Sequence, residues 1–213
     1  MIAIKALIVD DDAFVRSTLA AGLAAFGVKV VASASNAVMA LKALENGDIS
    51  VAIVDLDLGP GPSGIDICNS LRASKSELGL VLLTSYQDPR IYDPTGPSLP
   101  KGCRFLSKSE LNDFKTLVDT VISASIKPFL STRSQIKRKN LLTDTQIEVL
   151  KMVAQGLSSS EIAELRNVSV KAVENLITKI QKKVGIPRHK SINQRVQLAR
   201  YYFSLTGKKP PGA

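Results

Sequence analysis

Short apolar runs alternate with longer amphipathic stretches through the first 125 residues of the chain. Runs of Val, Ile, Leu and Ala with no polar face are typical of strands buried on both sides of a parallel sheet. The predicted strands lie at residues 4–9, 28–32, 51–55, 80–84 and 104–106. Helices are predicted between and after them at residues 13–26, 36–47, 64–74 and 111–125. This alternation predicts an α/β domain with a flavodoxin-like, doubly wound sheet.

The alternation fails between the fourth and fifth strands. Residues 88–102 contain Pro89, Pro94, Pro97 and Pro100. Proline removes a backbone donor and clashes inside a helix. We therefore predict a loop where a helix is due. For the first helix, the spacing of its large apolar residues predicts an inner face made of Phe14, Leu19, Leu23 and Phe26.

The last third of the chain has the pattern of a small helical domain. Thr143 with Gln146, and Ser158 with Glu161, have the spacing of capping boxes that begin helices. The four predicted helices span residues 143–156, 158–165, 170–184 and 191–203. We predict domains at 1–125 and 141–205, a linker at 126–140 and a frayed tail at 206–213.

Charge divides the chain at the same place. Residues 1–125 hold 11 Lys and Arg against 14 Asp and Glu, whereas residues 126–213 hold 17 against 5. The second part is strongly basic, which favours a polyanionic partner. Two cysteines without disulfide or metal spacing, and no apolar run long enough to span a membrane, favour a cytoplasmic protein with no membrane partner.

Acidic side chains follow two of the predicted strands. Asp10 and Asp11 come directly after the first strand, and Asp55 ends the third. These strands are neighbours in the flavodoxin-like order, and chemistry in such sheets lies at the carboxyl ends of the strands. Carboxylates this close repel one another, and a hard cation such as Mg²⁺ relieves the repulsion. The pattern therefore predicts a magnesium site at this edge.

Two further polar residues are predicted at the same edge. Thr84 ends the fourth strand, where its hydroxyl can donate to a phosphate oxygen, and Lys108 follows the fifth, where its ammonium can pair with phosphate. Since carboxylates can form aspartyl-phosphates, we hypothesise that Asp55 accepts a phosphoryl group. The alternative is an acid that only caps the turn or the next helix.

Taken together, these strand ends resemble the receiver domain of response regulators, over residues 4–122. The resemblance implies that Asp55 is phosphorylated by a sensor histidine kinase, and that the protein is not an enzyme. It implies Asp10, Asp11, Asp55 and the backbone carbonyl of Asp57 as ligands of Mg²⁺. It also implies Thr84, Phe105 and Lys108 as residues that switch on or bind the phosphate. The proline-rich segment departs from the family, which has a helix there.

Residues 158–184 have the pattern of a helix-turn-helix, whose second helix enters the major groove of DNA. Lysines on that helix can neutralise phosphates, Asn175 can read adenine and Glu174 can accept from cytosine. The predicted DNA-binding residues are Lys171, Glu174, Asn175, Thr178, Lys179 and Lys182. The alternative is a solvated amphipathic helix without a partner.

The wider pattern of residues 141–200 resembles the LuxR-type output domain of the same regulators. It includes Leu142-Thr143, Glu148-Val149-Leu150, Gly156-Leu157-Ser158 and Lys183-Val184-Gly185-Ile186. The resemblance implies binding to double-stranded DNA, and a homodimer when active. Glu174 stands where the family has a lysine. Arg166 replaces an apolar residue, and we predict that it points outwards.

The leading hypothesis is a two-component transcription regulator of the NarL/FixJ class. A second is a constitutive DNA-binding regulator with a degenerate receiver that does not depend on phosphorylation, because the proline-rich segment changes the switching surface. A third is a phosphatase like the haloacid dehalogenases, because Asp55 and Asp57 after an apolar strand resemble the nucleophile and acid/base pair of those enzymes.

Overall fold

The computed structural model describes residues 4–92, 96–110, 113–130, 142–187 and 193–207, with the backbone alone at Pro89 and Glu110. The chain divides into an N-terminal unit, Met1–Ser85 with Pro97–Ser134, and a C-terminal unit, Tyr86–Gly96 with Gln135–Ala213. Residues 131–140 of the predicted linker and 208–213 of the predicted tail lie outside the described residues. The domain boundaries stay predictions.

The N-terminal unit is built on a parallel sheet of five strands in the order β2-β1-β3-β4-β5. The strands are β1 Lys5–Val9, β2 Lys29–Ala34, β3 Val51–Asp55, β4 Gly79–Thr84 and β5 Arg104–Ser107. The helices are α1 Ala13–Ala25, α2 Ala37–Asn46, α3 Gly64–Ser74 and α4 Phe114–Ile126. The predicted flavodoxin-like fold is confirmed, and each strand lies within about two residues of its predicted position.

The core follows from the two-residue period of the strands. On one face of the sheet, Ile8, Ile53 and Val81 pack with residues of α1 and α4 in a single apolar cluster. The alternate residues of β1, β3 and β4 are also buried, and α2 and α3 pack against these strands and against each other. A sheet covered on both faces explains why its strands carry no polar side.

Two of the four residues predicted for the inner face of α1 are misplaced. Leu19 and Leu23 are buried, but Phe14 is 77% exposed and Phe26 is 50% exposed. Phe26 caps the end of the helix, and its ring stacks on Phe114 with centroids 6.2 Å apart. The prediction failed because it assigned every large apolar residue of the helix to the core. Of these four, only Leu19 and Leu23, four residues apart in the middle of the helix, face the sheet.

The proline-rich segment contains one short 3-10 turn, Pro89–Ile91, and no α-helix in its described residues. Residues 93–95 lie outside the described part. The predicted loop is therefore confirmed where the chain is described. The segment also carries a feature that the sequence did not predict: Tyr86–Gly96 groups with the C-terminal unit.

An arginine is buried at the start of β5. Arg104 is 3% exposed, and its Nη2 donates to the backbone oxygens of Ser123 and Lys127, at 2.8 and 3.2 Å, at the end of α4. These carbonyls carry the negative end of the helix dipole, which suits a cation. Among the described residues, Nε and Nη1 of Arg104 have no hydrogen-bond partner. Burial accordingly lowers the pKa of Arg104.

In its described residues, the C-terminal unit contains four α-helices, α5 Asp144–Ala154, α6 Ser159–Leu165, α7 Val170–Val184 and α8 Gln194–Thr206. Both predicted capping boxes are present, Thr143 with Gln146 and Ser158 with Glu161. Gly185 ends α7 in the left-handed conformation, at φ 75°. Asn167 has φ 50° in the turn between α6 and α7, a conformation that asparagine tolerates better than most residues. The helical prediction for this region is confirmed.

Polar contacts join these helices to one another. Arg166, at the end of α6, forms a partly buried ion pair with Glu148 of α5, so the prediction that it points outwards is wrong. Lys183 of α7 donates to Oε1 of Gln146 of α5 at 3.3 Å. Arg195 of α8 donates to the hydroxyl of Ser159 at 3.2 Å. The ion pair with Glu148 explains how a charged residue is accommodated at position 166, where the family resemblance implies an apolar one.

Candidate functional site: a phosphoacceptor edge and a recognition helix

The carboxyl ends of three strands bring two acids and a lysine together. Asp10 follows β1 and is 4% exposed, and Asp55 ends β3 and is 8% exposed. Lys108 is the first residue after β5, and its Nζ lies 2.8 Å from Oδ1 of Asp55 and 3.5 Å from Oδ2 of Asp10. Residues nearly a hundred positions apart in sequence therefore form one charged cluster, which we name the phosphoacceptor edge.

The second oxygen of each carboxylate is held by the backbone. Oδ2 of Asp55 accepts from the N–H of Asp57 at 3.0 Å, and Oδ1 of Asp10 accepts from the N–H of Asp12 at 2.9 Å. These local contacts fix both carboxylates so that their other oxygens meet Lys108. A guanidinium nitrogen of Arg16 donates to the backbone oxygen of Asp11 at 3.0 Å and also to that of Asp10. Sequence reasoning missed Arg16, since no spacing rule singles out a carbonyl-binding arginine.

Burial controls the electrostatics of the edge. It raises the pKa of Asp55, and this effect exceeds the opposing effects of the hydrogen bond and charge of Lys108. Burial also acts to lower the pKa of Lys108, but the hydrogen bond and charge of Asp55, with the charge of Asp10, outweigh it and raise that pKa. A poorly solvated carboxylate beside a firmly charged ammonium gains from any further cation.

The other two predicted metal ligands have different surroundings. Asp11 is exposed, and its Oδ2 lies 4.0 Å from the place that a Cβ would take on Gly59, in the turn after β3. Asp57 follows Asp55 by two residues, with its N–H on that carboxylate. Within the described ranges, no three Asp, Glu, His or Cys side chains are grouped as a metal site. The structure thus brings Asp10 and Asp55 together around Lys108, and Asp11 lies outside that pair.

The predicted switch residues lie on adjacent strands. Thr84 ends β4 with 1% of its surface exposed, and it pairs in register with Ser107, the residue before Lys108. Phe105 pairs with Leu82 and is partly exposed. The Thr84 hydroxyl is therefore at the same sheet edge as the acids, as predicted from the strand ends.

Gly64 holds the third strand close to the helix that follows it. A Cβ on Gly64 would lie 2.0 Å from the backbone oxygen of Asp55, a distance that no side chain tolerates. The N–H of Gly64 donates to the backbone oxygen of Leu56 at 2.9 Å, and Ser63 caps α3 just before it. Only glycine permits this approach, so Gly64 helps to set the position of Asp55.

The second candidate site is the exposed face of α7. Lys171, Glu174, Asn175, Lys179 and Lys182 are exposed, and Thr178 is half-buried. The opposite side of the helix is buried through Val173, Ile177 and Ile180. The predicted DNA-binding residues are thus available on one helix, which packs against α5 and α6 through its apolar side.

None of the helices in the described ranges is both long and apolar enough to cross a membrane.

Two protein-family models match the chain. "Response regulator receiver domain" matches residues 6–93, and "Bacterial regulatory proteins, luxR family" matches residues 140–201. Together they cover more than two thirds of the sequence. The first contains β2 to β4 and all but the first residue of β1, with Asp10, Asp55 and Thr84, and the second contains all of α5, α6 and α7.

Curated proteins of similar sequence span nearly the whole chain. The DNA-binding transcriptional activator DevR/DosR of Mycobacterium tuberculosis is 25% identical over 226 residues, which cover 98% of each protein. The oxygen regulatory protein NreC of Staphylococcus aureus is 28% identical over 201 residues, which cover 85% of this chain and 91% of NreC.

Solved structures show the same fold. The RcsB response regulator of Salmonella typhimurium superposes with a TM-score of 0.56 at 22% identity, covering 97% of this chain and 100% of RcsB. An RcsB–DNA complex gives a TM-score of 0.54 at 22% identity, covering 96% and 99%. The comparisons support a regulator and give no support to a phosphatase of the haloacid-dehalogenase kind.

Proposed function

Because this chain belongs to the response regulators that join a receiver domain to a LuxR-type DNA-binding domain, we propose that a histidine kinase phosphorylates it on Asp55 and thereby controls its binding to double-stranded DNA. The observation that carries this proposal is the position of Lys108, within 3.5 Å of both Asp10 and Asp55. A lysine that pairs with two buried carboxylates can also balance the additional negative charge that Asp55 gains when it is phosphorylated.

The phosphoryl transfer needs little more than a positioned carboxylate. An oxygen of Asp55 forms a bond to phosphorus as the bond from phosphorus to the kinase histidine breaks. The Lys108 ammonium then pairs with a phosphoryl oxygen, and the Thr84 hydroxyl donates to another. Lys108 gains a stronger anionic partner in this step, so its present ion pair with Asp55 is exchanged rather than lost.

We propose Mg²⁺ as the cofactor, held by the carboxylates of Asp10, Asp11 and Asp55 and the backbone carbonyl of Asp57. The donors fit a hard cation, since all are oxygens and two are buried carboxylates. When bound, the ion would neutralise charge that develops on the transferring phosphoryl group. In this structure Lys108 balances the same two carboxylates, so the ion must share them with the lysine.

The recognition helix α7 would bind in the major groove. Lys171, Lys179 and Lys182 would neutralise phosphates, while Asn175 can make paired hydrogen bonds to adenine. Glu174, where the family resemblance implies a lysine, would select cytosine or weaken binding. We propose a homodimer as the active form, because two copies of α7 would then read two half-sites one turn of DNA apart.

The first test is phosphorylation by acetyl phosphate with Mg²⁺, followed by intact-mass measurement. We expect one added phosphoryl group on wild type and none on Asp55→Ala. Asp119→Asn, which changes an exposed carboxylate on α4, is the matched control and should label like wild type. An adduct that survives in Asp55→Ala would contradict the assignment of Asp55.

The second test is DNA affinity of the same preparations. We expect phosphorylation to change the affinity of wild type for duplex DNA by roughly fivefold or more, as in other allosteric proteins. Unchanged affinity and oligomeric state in fully labelled protein would favour the constitutive regulator instead. Failure to bind duplex DNA in either state would remove the output function from the proposal.

A further inference from the structure

The segment of residues 86–92 is tied to the first helix of the C-terminal unit by Arg90. The guanidinium of Arg90 forms a bidentate ion pair with Asp88, with Nη2 2.6 Å from Oδ2 and Nε 3.1 Å from Oδ1. Its remaining nitrogen, Nη1, donates to Oδ1 of Asp144 at 2.9 Å. Asp144 is the first residue of α5. One side chain therefore joins the 3-10 turn to the start of a helix fifty-four residues further along the chain.

The same segment also contacts the last helix. The N–H of Gln87 donates to the backbone oxygen of Leu205 at 2.9 Å, in the final turn of α8. Carbonyls in the final turn of a helix have no partner within the helix. The segment thus supplies a donor that α8 lacks. Burial raises the pKa of Tyr201 on α8, and the charge of Asp88 acts in the same direction.

Apolar side chains complete the attachment. Tyr86 is 7% exposed and Ile91 is 2% exposed, and the 3-10 turn packs against α5. The ring of Tyr86 meets that of Tyr92 edge to face, with centroids 5.6 Å apart. The attachment therefore consists of buried apolar contacts, a backbone hydrogen bond, and the ion pairs of Arg90 with two carboxylates. A solvated loop would not form this set of contacts. They make residues 86–92 a structural part of the C-terminal unit.

The segment starts very close to the phosphoacceptor edge in sequence. Only Ser85 separates Thr84 from Tyr86. Two residues of fully extended chain span at most about 7 Å. The chain between Thr84 and Tyr86 is therefore too short to stretch, and a displacement of Thr84 also displaces Tyr86. The prolines of this segment disfavour an α-helix, and the chain instead meets α5 and α8 through a short 3-10 turn and the residues beside it.

From these observations we propose that residues 86–92 are a coupling element, through which phosphorylation of Asp55 acts on α5 and α8 of the DNA-binding unit. This inference rests on the proposed function, and it names the route by which the signal leaves the receiver. Arg90 and Asp144 are positioning residues, since neither lies among the proposed phosphate or DNA contacts. Because coupling between sites is reciprocal, bound DNA should shift the phosphorylation equilibrium by the same factor.

The test measures DNA affinity of the full chain with and without acetyl phosphate, on a fluorescent duplex enriched from a random pool by the wild-type protein. The readout is the ratio of the two dissociation constants. In Arg90→Ala and Asp144→Asn we expect this ratio to fall to near one, while Asp55 is labelled as in wild type. Arg90→Lys, which keeps a cation between Asp88 and Asp144, should retain part of the ratio.

A matched control is Lys5→Ala, which removes another long-range ion pair, 2.8 Å from Asp48, inside the N-terminal unit. Its ratio should equal that of wild type. Hydrogen exchange supplies a second readout: residues 86–92 and the first turn of α5 should exchange faster in Arg90→Ala than in wild type, before any phosphorylation.

The outcomes separate the two proposals. A wild-type ratio clearly above one that persists in both Arg90→Ala and Asp144→Asn overturns the coupling element and leaves the proposed function intact. Unaltered exchange of residues 86–92 in Arg90→Ala also overturns it. A wild type that takes no phosphoryl group on Asp55, or whose ratio is one, overturns the proposed function and the coupling element with it.

Discussion

The phosphoacceptor edge and the exposed face of α7 use charge in opposite ways. At the edge, opposite charges are packed together: Lys108 is within ion-pair distance of two carboxylates that are almost fully buried. On α7, charges mostly of one sign stand exposed, on a helix held by apolar residues behind them. The first site must rearrange to accept its ligand, whereas the second can meet a polyanion as it stands.

The difference also concerns which cations are already committed. Lys183 in the last turn of α7 donates to Gln146, and Arg166 pairs with Glu148. These two hold the helices together, which leaves Lys171, Lys179 and Lys182 for solvent or DNA. At the phosphoacceptor edge a single lysine, Lys108, pairs with both carboxylates and is also the proposed partner of the phosphate. Mutations there should alter stability and chemistry together, and mutations on α7 should alter binding alone.

The largest effect is expected from Gly64→Ala, which breaks the buried site through its backbone. The new Cβ would lie 2.0 Å from the oxygen of Asp55, and a clash with backbone cannot be relieved by a rotamer change. We expect a loss of about 3 kcal/mol or more in the unfolding free energy of the N-terminal unit, measured by urea titration. Gly27→Ala, in the same unit, is the control, since it meets no atom within 4 Å and suffers only from its φ of 78°. It should cost about 1 kcal/mol; equal losses in the two variants would contradict the close approach.

Lys108→Met should have the next largest effect. It leaves Asp10 and Asp55 close together without their cation, so the pKa of Asp55 should rise further. We expect a loss of about 2 kcal/mol in stability, below the value for a fully buried pair because Lys108 is 32% exposed. The pH at which acetyl phosphate labelling is half-maximal should also move upwards. Lys115→Met, which removes an exposed pair with Asp119, should leave both quantities at wild-type values.

On the exposed helix, Lys171→Ala should change only DNA binding. If Lys171 contacts one phosphate, its loss lowers the slope of log affinity against log salt concentration by about 0.9. Unfolding should be unaffected, in contrast to Lys108→Met. Lys42→Ala, at an exposed position on α2, is the control and should leave the slope unchanged. A Lys171→Ala slope that equals that of wild type would show that this lysine does not contact DNA phosphate.

The smallest effect concerns pH. The folded-state pKa of Asp55 lies above its ordinary value of 3.8, mainly because of burial. The stability that this group contributes is therefore full below pH 3.8 and is lost as the pH rises through the raised pKa. Asp55→Asn does not ionise, so it should be slightly more stable than wild type at pH 7, with the difference closing towards pH 3.8. Urea midpoints across this range measure it, and a less stable Asp55→Asn at pH 7 would contradict the role of burial.

Much of the fold was predictable because its signals are local. Apolar runs located every strand, and the cap residues Thr143 and Ser158 located the starts of two helices. The order of the strands then placed Asp10, Asp55 and Lys108 at one edge, since parallel strands end at the same side of the sheet. The assignment of Phe14 and Phe26 failed because residue type alone does not tell which way a helix faces.

Other features depend on contacts between distant residues and gave no local signal. Nothing in the sequence shows that Arg16 binds the carbonyls of Asp10 and Asp11, or that Arg166 finds Glu148. The proline content of residues 88–102 predicted the missing helix. It did not predict that Arg90 would reach Asp144, because that choice depends on surfaces formed only after both segments fold.

The buried arginine of β5 lies at the end of the strand opposite to the phosphoacceptor edge. Arg104, at the start of the four-residue strand β5, donates to backbone carbonyls at the end of α4, and Lys108 follows the other end of the strand. Residues 104–108 therefore connect the end of α4 with the carboxylates of Asp10 and Asp55, and a cation lies at each end of this connection, bound to oxygen atoms.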